Sequence, residues 1–283
     1  MAEVATFATS EQLLVVIDPV ARRTDGESVR IAKDVLSAGA ASTKVCLPDG
    51  PEEFARALRR RGSRRPVVVG DDRALVRAVS LLHRQRELAG CALSVVPVGP
   101  SLGLSRSLGL PTGAVAAARA VLDGAERRMD LLVDDSDGVV LGAVGIPPVS
   151  AREAALPLVR PWLRTCQSLV RTLVAARPSR LTSDPAGSGP ARLRVEVDGA
   201  TLVDLDQPVE GVSVSPGESG VAEVEVRPVS VGAEATPLMA AGRTVTVSGA
   251  HFRYRGDVGV SGPVRTRTWV VREGAWALTL PAG

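Results

Sequence analysis

Aromatic side chains are scarce in this sequence. Only 2% of its 283 residues carry an aromatic ring: Phe7, Phe54, Phe252, Tyr254, Trp162, Trp269 and Trp276. Single-strand nucleic-acid binders stack bases on such rings, so that class is disfavoured. Core energy must come mainly from Val, Leu and Ala. Lysine is almost missing: of 34 basic residues, only Lys33 and Lys44 are not arginine. The codon usage of a GC-rich genome produces that bias by itself. A net charge of +3 is too small to point to nucleic acid.

Other chemistries lack their residues. Cys46, Cys91 and Cys166 are odd in number, far apart and form no CxxC, so neither a zinc site nor a disulfide framework is indicated. Each reads as a small buried hydrophobe. His83 and His251 are far apart and there is no HExxH, so no histidine metal centre is expected. Ser101 follows Gly99-Pro100 without the second glycine of a GxSxG nucleophile elbow. No run approaches the roughly 18 apolar residues of a spanning helix. Residues 1–10 lack the basic segment and apolar stretch of a signal peptide. The chain reads as cytoplasmic.

What is present is the composition of a folded protein, 45% hydrophobic and 23% charged, long enough for one large or two ordinary domains. The first half alternates short apolar runs (13–17, 43–47, 66–69, 93–96 and 129–133) with helical patterns (27–38, 51–59, 73–88, 102–108 and 113–122). Pro51 opens one helix, with Glu52 and Glu53 in its first turn. Asp72 reads as the N-cap of the next. Continuous apolar strands between helices predict a parallel sheet covered on both faces. The stretch 134–138 is an acidic turn, after which a long helical pattern runs from about 151 to 177. Trp162 lies in its middle, and packing between domains is the expected role, with a membrane-facing surface as the rarer alternative. From 191 onward the pattern has period two: Leu193, Val195, Val197; Val212, Val214; Val224, Val226; Val245, Val247; Trp269, Val271. This predicts an antiparallel β-sandwich or meander. The expected layout is therefore an α/β domain over 1–137 and a β-rich domain over 138–283, with a helical insertion at about 151–177.

In open α/β sheets, ligands bind at the carboxyl ends of strands, beside helix N-termini. Three such ends are suggestive here: Asp18-Pro19, Gly70-Asp71-Asp72 and Gly99-Pro100-Ser101. Ordinary strand-to-helix turns favour the same residue types. Context narrows the choice. Residues 93–111 hold Pro97, Gly99, Arg106, Leu108, Gly109 and Pro111 in the order of the strand, Pro-x-Gly-Thr-x-Asn-Asp turn, helix and Leu-Gly-x-Pro of the diacylglycerol kinase and sphingosine kinase family. Met129-Asp130-Leu131 resembles that family's next short strand. Gly70-Asp71-Asp72-Arg73-Ala74 stands at its Gly-Gly-Asp-Gly-Thr nucleotide loop, and Asp18-Pro19-Val20-Ala21-Arg22 at its Asn-Pro-x-Ser-Gly. Gly256-Asp257 is similar to its Asp-Gly-Glu segment. The ordered matches span nearly the whole chain.

The resemblance implies a fold of the NAD kinase and diacylglycerol kinase type. It also implies an ATP- and magnesium-dependent transferase of phospholipid metabolism that phosphorylates a lipid hydroxyl. Asp72 and Asp257 would be the catalytic carboxylates. Asp18, Pro19, Gly70, Asp71, Asp72, Arg73, Gly99, Pro100 and Ser101 would line the nucleotide, and no protein metal ligand is assigned. The departures point the other way. Asp71 and Arg73 replace two loop glycines and Ala74 replaces the threonine. A carboxylate repels a triphosphate, whereas an arginine can pair with one. Pro100 removes an amide donor, and Leu102 and Gly103 replace an asparagine and an aspartate. The alternative is thus a catalytically inactive pseudokinase that binds or regulates. A remoter one is a kinase of a soluble nicotinamide dinucleotide. Expected partners are nucleotide and lipid for an active enzyme, and a second copy as a homodimer. The arginines over 56–86 read first as a solvated face, and second as a patch for peripheral contact with an anionic inner membrane face.

Overall fold

The valine runs of the first half form strands because β-branched side chains suit a pleated, two-sided burial. The computed structural model describes residues 12–147, 190–229 and 236–282. The helix expected at about 151–177, with Trp162 and Cys166, lies outside the described residues. The first half runs β1 (Gln12–Ile17), α1 (Pro19–Thr24), α2 (Gly26–Gly39), β2 (Ser42–Cys46), α3 (Pro51–Arg59), β3 (Arg65–Gly70), α4 (Asp72–Arg84), β4 (Ala92–Pro97), α5 (Gly103–Ser107), α6 (Ala114–Asp123) and β5 (Ala125–Asp134). Strands β2, β1, β3 and β4 are parallel neighbours in that order.

Successive residues of β1, β3 and β4 serve opposite cores, whereas the edge strand β2 is largely exposed. Leu14, Val16, Val68, Leu93 and Val95 pack with Phe54 and Leu58 of α3 and Leu75, Val79 and Leu82 of α4. Leu13, Val15, Ile17, Val67 and Val69 pack with Val29, Ala32 and Leu36 of α2 and Ala117, Ala118 and Val121 of α6. Val67, Val68 and Val69 are all 0% exposed, and each such side chain stabilises the fold by about 1.5–3 kcal/mol.

The second half continues with β6 (Val139–Val140), β7 (Val144–Ile146), β8 (Ala191–Val197), β9 (Ala200–Val203), β10 (Pro208–Pro216), β11 (Ala222–Pro228), β12 (Leu238–Gly242), β13 (Thr244–Arg255) and β14 (Val260–Leu280). The pairings among these strands are antiparallel. β10 and β13 are bridged by β7 and again by β8, so the sheet curls around a second apolar cluster.

β14 ties the two halves together. Its first part pairs with β13, and its second part pairs antiparallel with β5. Ala277 and Leu278 run parallel to Ala92 and Leu93 of β4. A register shift between Arg272 and Trp276 bends the strand where Gly274 takes a φ of 51°. Two scarce aromatics are placed along it: Trp269 in the second core and Trp276 in the first, each 0% exposed. The described strands thereby join in one 14-stranded sheet.

Two sequence expectations change. The strand expected at 129–133 is longer and joins β14 and β6 antiparallel, not the parallel set. Local apolar character cannot report strand direction, because the partner β14 lies more than a hundred residues away. The cap of α4 is Asp71, whose side chain accepts from Arg73 N and Ala74 N, and Asp72 is the first helical residue. The acidic turn after β5 is built on Asp134, which accepts from Ser136 N and Gly138 N at 2.8 Å each. His83 of α4 holds the same turn through Asp137 at 2.8 Å. Arg267 of β14 pairs with Asp135 on its other side.

Candidate functional site

The carboxyl ends of β1, β3 and β4 are laced together by backbone bonds. Asp18 N donates to Val69 O, Val98 N to Gly70 O and Asp72 N to Ser101 O, each at 2.9 Å. The approach is close enough to exclude side chains at two glycines. A Cβ at Gly70 would lie 2.6 Å from Ala74 Cβ and 3.0 Å from Asp18 Cβ. Gly99 has a φ of 136°, and its Cβ would lie 2.9 Å from Asp71 Cβ.

Each helix that starts at this edge is closed by a carboxylate of the chain itself. Asp18, 2% exposed, accepts from Val20 N at 2.8 Å at the start of α1. Its other oxygen accepts from Arg77 Nη1 at 2.8 Å, and that guanidinium lies 5.6 Å from the Phe54 ring centroid. Asp71 accepts from Arg73 N at 3.1 Å and Ala74 N at 3.2 Å at the start of α4. Asp72, 3% exposed, reaches across to α5. It accepts from Leu104 N at 3.0 Å, Ser105 N at 2.9 Å, Ser105 Oγ at 2.8 Å and Ser101 Oγ at 3.2 Å. Burial pushes the Asp71 carboxyl up, and the charge of Asp18 adds to the shift against the amide bonds that oppose it.

Beside this edge lies a cleft of about 900 Å³ between the two halves. Asp72, Ser101 and Leu104 line one side. Asp257, from the turn between β13 and β14, lines the other. Its oxygens accept from Leu141 N at 2.6 Å and Gly142 N at 2.9 Å. Burial raises the Asp257 carboxyl above its ordinary value, and the nearby charge of Asp72 pushes in the same direction. Asp130 of β5 completes the wall by accepting from Gly220 N and Gly274 N, both at 2.7 Å.

The sequence candidates thus fall into two groups. Asp72, Ser101 and Asp257 share the cleft. Asp18, Gly70, Asp71 and Gly99 form the packed edge behind it. Pro19 starts α1 beside that edge, and Arg73 and Pro100 are exposed. Arg127, Arg128, Asp130, Glu218 and Glu223 of the cleft were not among the candidates. Met129-Asp130-Leu131 reads from sequence only as a strand. The remaining members carry no local signal, because distant pairing assembles them.

Three solved structures from Bacillus anthracis str. Sterne, described as diacylglycerol kinases (two of them provisionally), superpose on this chain. One is 14% identical with a TM-score of 0.71, covering 99% of this chain and 98% of the other. The other two are 14% and 12% identical, with TM-scores of 0.67 and 0.66, each covering 96% of this chain and 97% of the other. The fold is diacylglycerol kinase-like. No protein-family model and no curated protein matches the sequence.

On this diacylglycerol kinase-like fold, the residues present do not suit a triphosphate. An anion binds a helix N-terminus through amides left free by the helix. Here Asp18, Asp71 and Asp72 take up amides at the three helix starts. The cleft itself is acidic, with Asp72, Asp130, Glu218, Glu223 and Asp257 against Arg127 and Arg128. Among the described residues, no three His, Cys, Asp or Glu side chains gather in a metal-holding arrangement, and no helix is long and apolar enough to cross a membrane.

Proposed function

We propose that this chain uses the diacylglycerol kinase-like fold without ATP-dependent phosphoryl transfer, as a binding or regulatory module acting through its interdomain cleft. One observation carries the reading: carboxylates of the chain occupy amides at the helix N-termini where phosphate would be received. Replacing these carboxylates by a triphosphate would bring like charges together beside buried Asp18 and Asp71, which costs free energy in a low-dielectric site. Magnesium-ATP titrated into the purified full chain is expected to give no binding heat up to about 1 mM, where a Kd corresponds to about −4 kcal/mol. A micromolar Kd overturns the reading.

A second reading, a lipid kinase of this fold, is favoured by Asp72 and Asp257 facing one cleft. A carboxyl raised by burial is a better general base than an ordinary one. Asp257 would accept the proton of a lipid hydroxyl, and Asp72 would position the loops. Magnesium-ATP with a panel of diacylglycerols, compared with a Gly70→Arg control, tests it. Turnover above that control supports a kinase.

Location at the inner face of an anionic membrane belongs to the same proposal. It rests on exposed Arg56, Arg59 and Arg60 of the α3 end. Arg61 is paired with Glu87 and Arg77 with Asp18, so the arginines of 56–86 do not form one free face.

A further inference from the structure

A second cavity, of about 500 Å³, lies where the C-terminal end of α4 meets β14. Its deep surface is apolar, with Leu88 and Val271 only 4% and 8% exposed. Its rim is cationic. Arg86 follows α4, Arg243 precedes β13 and Arg272 lies on β14, and all three are exposed. Among the described residues, the one carboxylate on this rim is Glu273, 3.9 Å from Arg243, and both side chains are largely solvated. Neither Arg86 nor Arg272 makes an ion pair among the described residues. His83 on the same rim is engaged by Asp137.

Helix electrostatics does not account for this cluster. Cations are favoured near the C-terminus of α4, which covers His83 and Arg86. Arg243, between β12 and β13, and Arg272 of β14 come from the other half. Arg86 also holds a φ of 58°, in the region where a helix end usually places glycine. An arginine there forgoes backbone ease and supplies a guanidinium to the rim. The groove is also one turn away from the cleft. Ser219 lines the cleft and Gly220 the groove, and Asp130 anchors that turn through Gly220 N.

We propose that this groove binds a single-chain amphiphilic phosphate monoester, with its phosphate on Arg86, Arg243 and Arg272 and its apolar tail against Leu88 and Val271. Guanidinium forks match phosphate oxygens in paired hydrogen bonds. Two uncompensated arginines favour a dianion over a carboxylate. The apolar floor favours a tailed ligand over inorganic phosphate. The assignment is independent of the reading of the cleft.

Calorimetry on the full chain with octyl phosphate below its micelle concentration tests this site, with inorganic phosphate and octanol as separate arms. Octyl phosphate is expected to bind about tenfold or more tightly than either. Arg243→Glu/Arg272→Glu is expected to weaken it by about tenfold or more, and Arg243→Ala/Arg272→Ala by less. Arg119→Glu/Arg265→Glu, the same charge change at exposed residues outside both cavities, is expected to leave binding intact. Absence of wild-type binding at about 1 mM overturns the assignment. So does equal binding by the Arg243→Glu/Arg272→Glu variant, an equal loss in the Arg119→Glu/Arg265→Glu control, or inorganic phosphate binding as tightly as octyl phosphate.

Discussion

Asp71 closes the start of α4 on itself, its carboxylate accepting from the Ala74 amide at 3.2 Å. The Arg73 amide is bound to the same oxygen. A glycine at position 71 leaves both amides free at the N-terminus of a helix of 13 residues. Asp71→Gly is therefore expected to create an anion site. Because glycine is an acceptable N-cap, stability should fall by only about 0.5 kcal/mol or less. In thermal unfolding, inorganic phosphate is expected to raise the Tm of Asp71→Gly and leave the wild type unchanged. A variant indifferent to phosphate would show that the cap does not block an anion site.

Asp72 joins two loops from a buried position, accepting from Ser101, Leu104 and Ser105. Asp72→Ala leaves the Leu104 and Ser105 amides without this acceptor, and is expected to cost about 3 kcal/mol in urea unfolding. Asp72→Asn keeps an acceptor oxygen and is expected to cost less. Equal, small losses in both would mean that the linkage between β3 and α5 does not depend on this carboxylate.

Asp257 carries a pH dependence of defined sign. Burial holds its carboxyl above the ordinary 3.8, so the folded chain binds this proton more tightly than the unfolded chain. That contribution is fully present below 3.8 and is lost as pH rises through the folded value. Asp257→Asn does not titrate. The stability difference between variant and wild type is therefore expected to move in the variant's favour from about pH 4 to about pH 7. Urea midpoints at both pH values measure it, and a difference that stays flat contradicts the raised carboxyl.

Gly99 packs against the same carboxylate that caps α4. Its φ of 136° and the 2.9 Å approach to Asp71 Cβ leave no room for a side chain. Gly99→Ala is expected to destabilise the fold by about 2 kcal/mol or more. Part of that loss comes from Asp71 and part from the backbone. In the double variant with Asp71→Gly, the cost is expected to be smaller than the sum of the single costs, as for residues in contact. Strict additivity would assign the whole effect to backbone strain.

The resemblance that identified the fold rested on residues with strict backbone duties. Gly70 and Gly99 sit where neighbouring side chains forbid a Cβ, and Pro97 ends β4. Such positions are legible because few residue types satisfy them. The alternation of β8, β10, β11 and β13 was legible for the same kind of reason: one face meets a core and the other meets water. The direction of β5 was not. Nor was the exchange of capping duty between Asp71 and Asp72, since two adjacent aspartates before a helix present the same local signal. The far wall of the cleft was also hidden. Asp130, Gly220 and Gly274 are brought together only by β14 pairing with β5 and by a turn from another part of the chain.

By itself, then, the sequence determined the alternating strands and helices of the first half, the two-sided burial of β1, β3 and β4, and a loop in which Asp71, Arg73 and Ala74 replace two glycines and a threonine. Tertiary structure alone decided what replaced them. It set Asp18, Asp71 and Asp72 on the helix starts, faced Asp72 toward Asp257 across a cleft, and gathered Arg86, Arg243 and Arg272 around one groove. The physical reason is the range of the forces. Propensity and periodicity act over a few residues, whereas the charge, burial and hydrogen bonding of these sites depend on partners far apart along the chain.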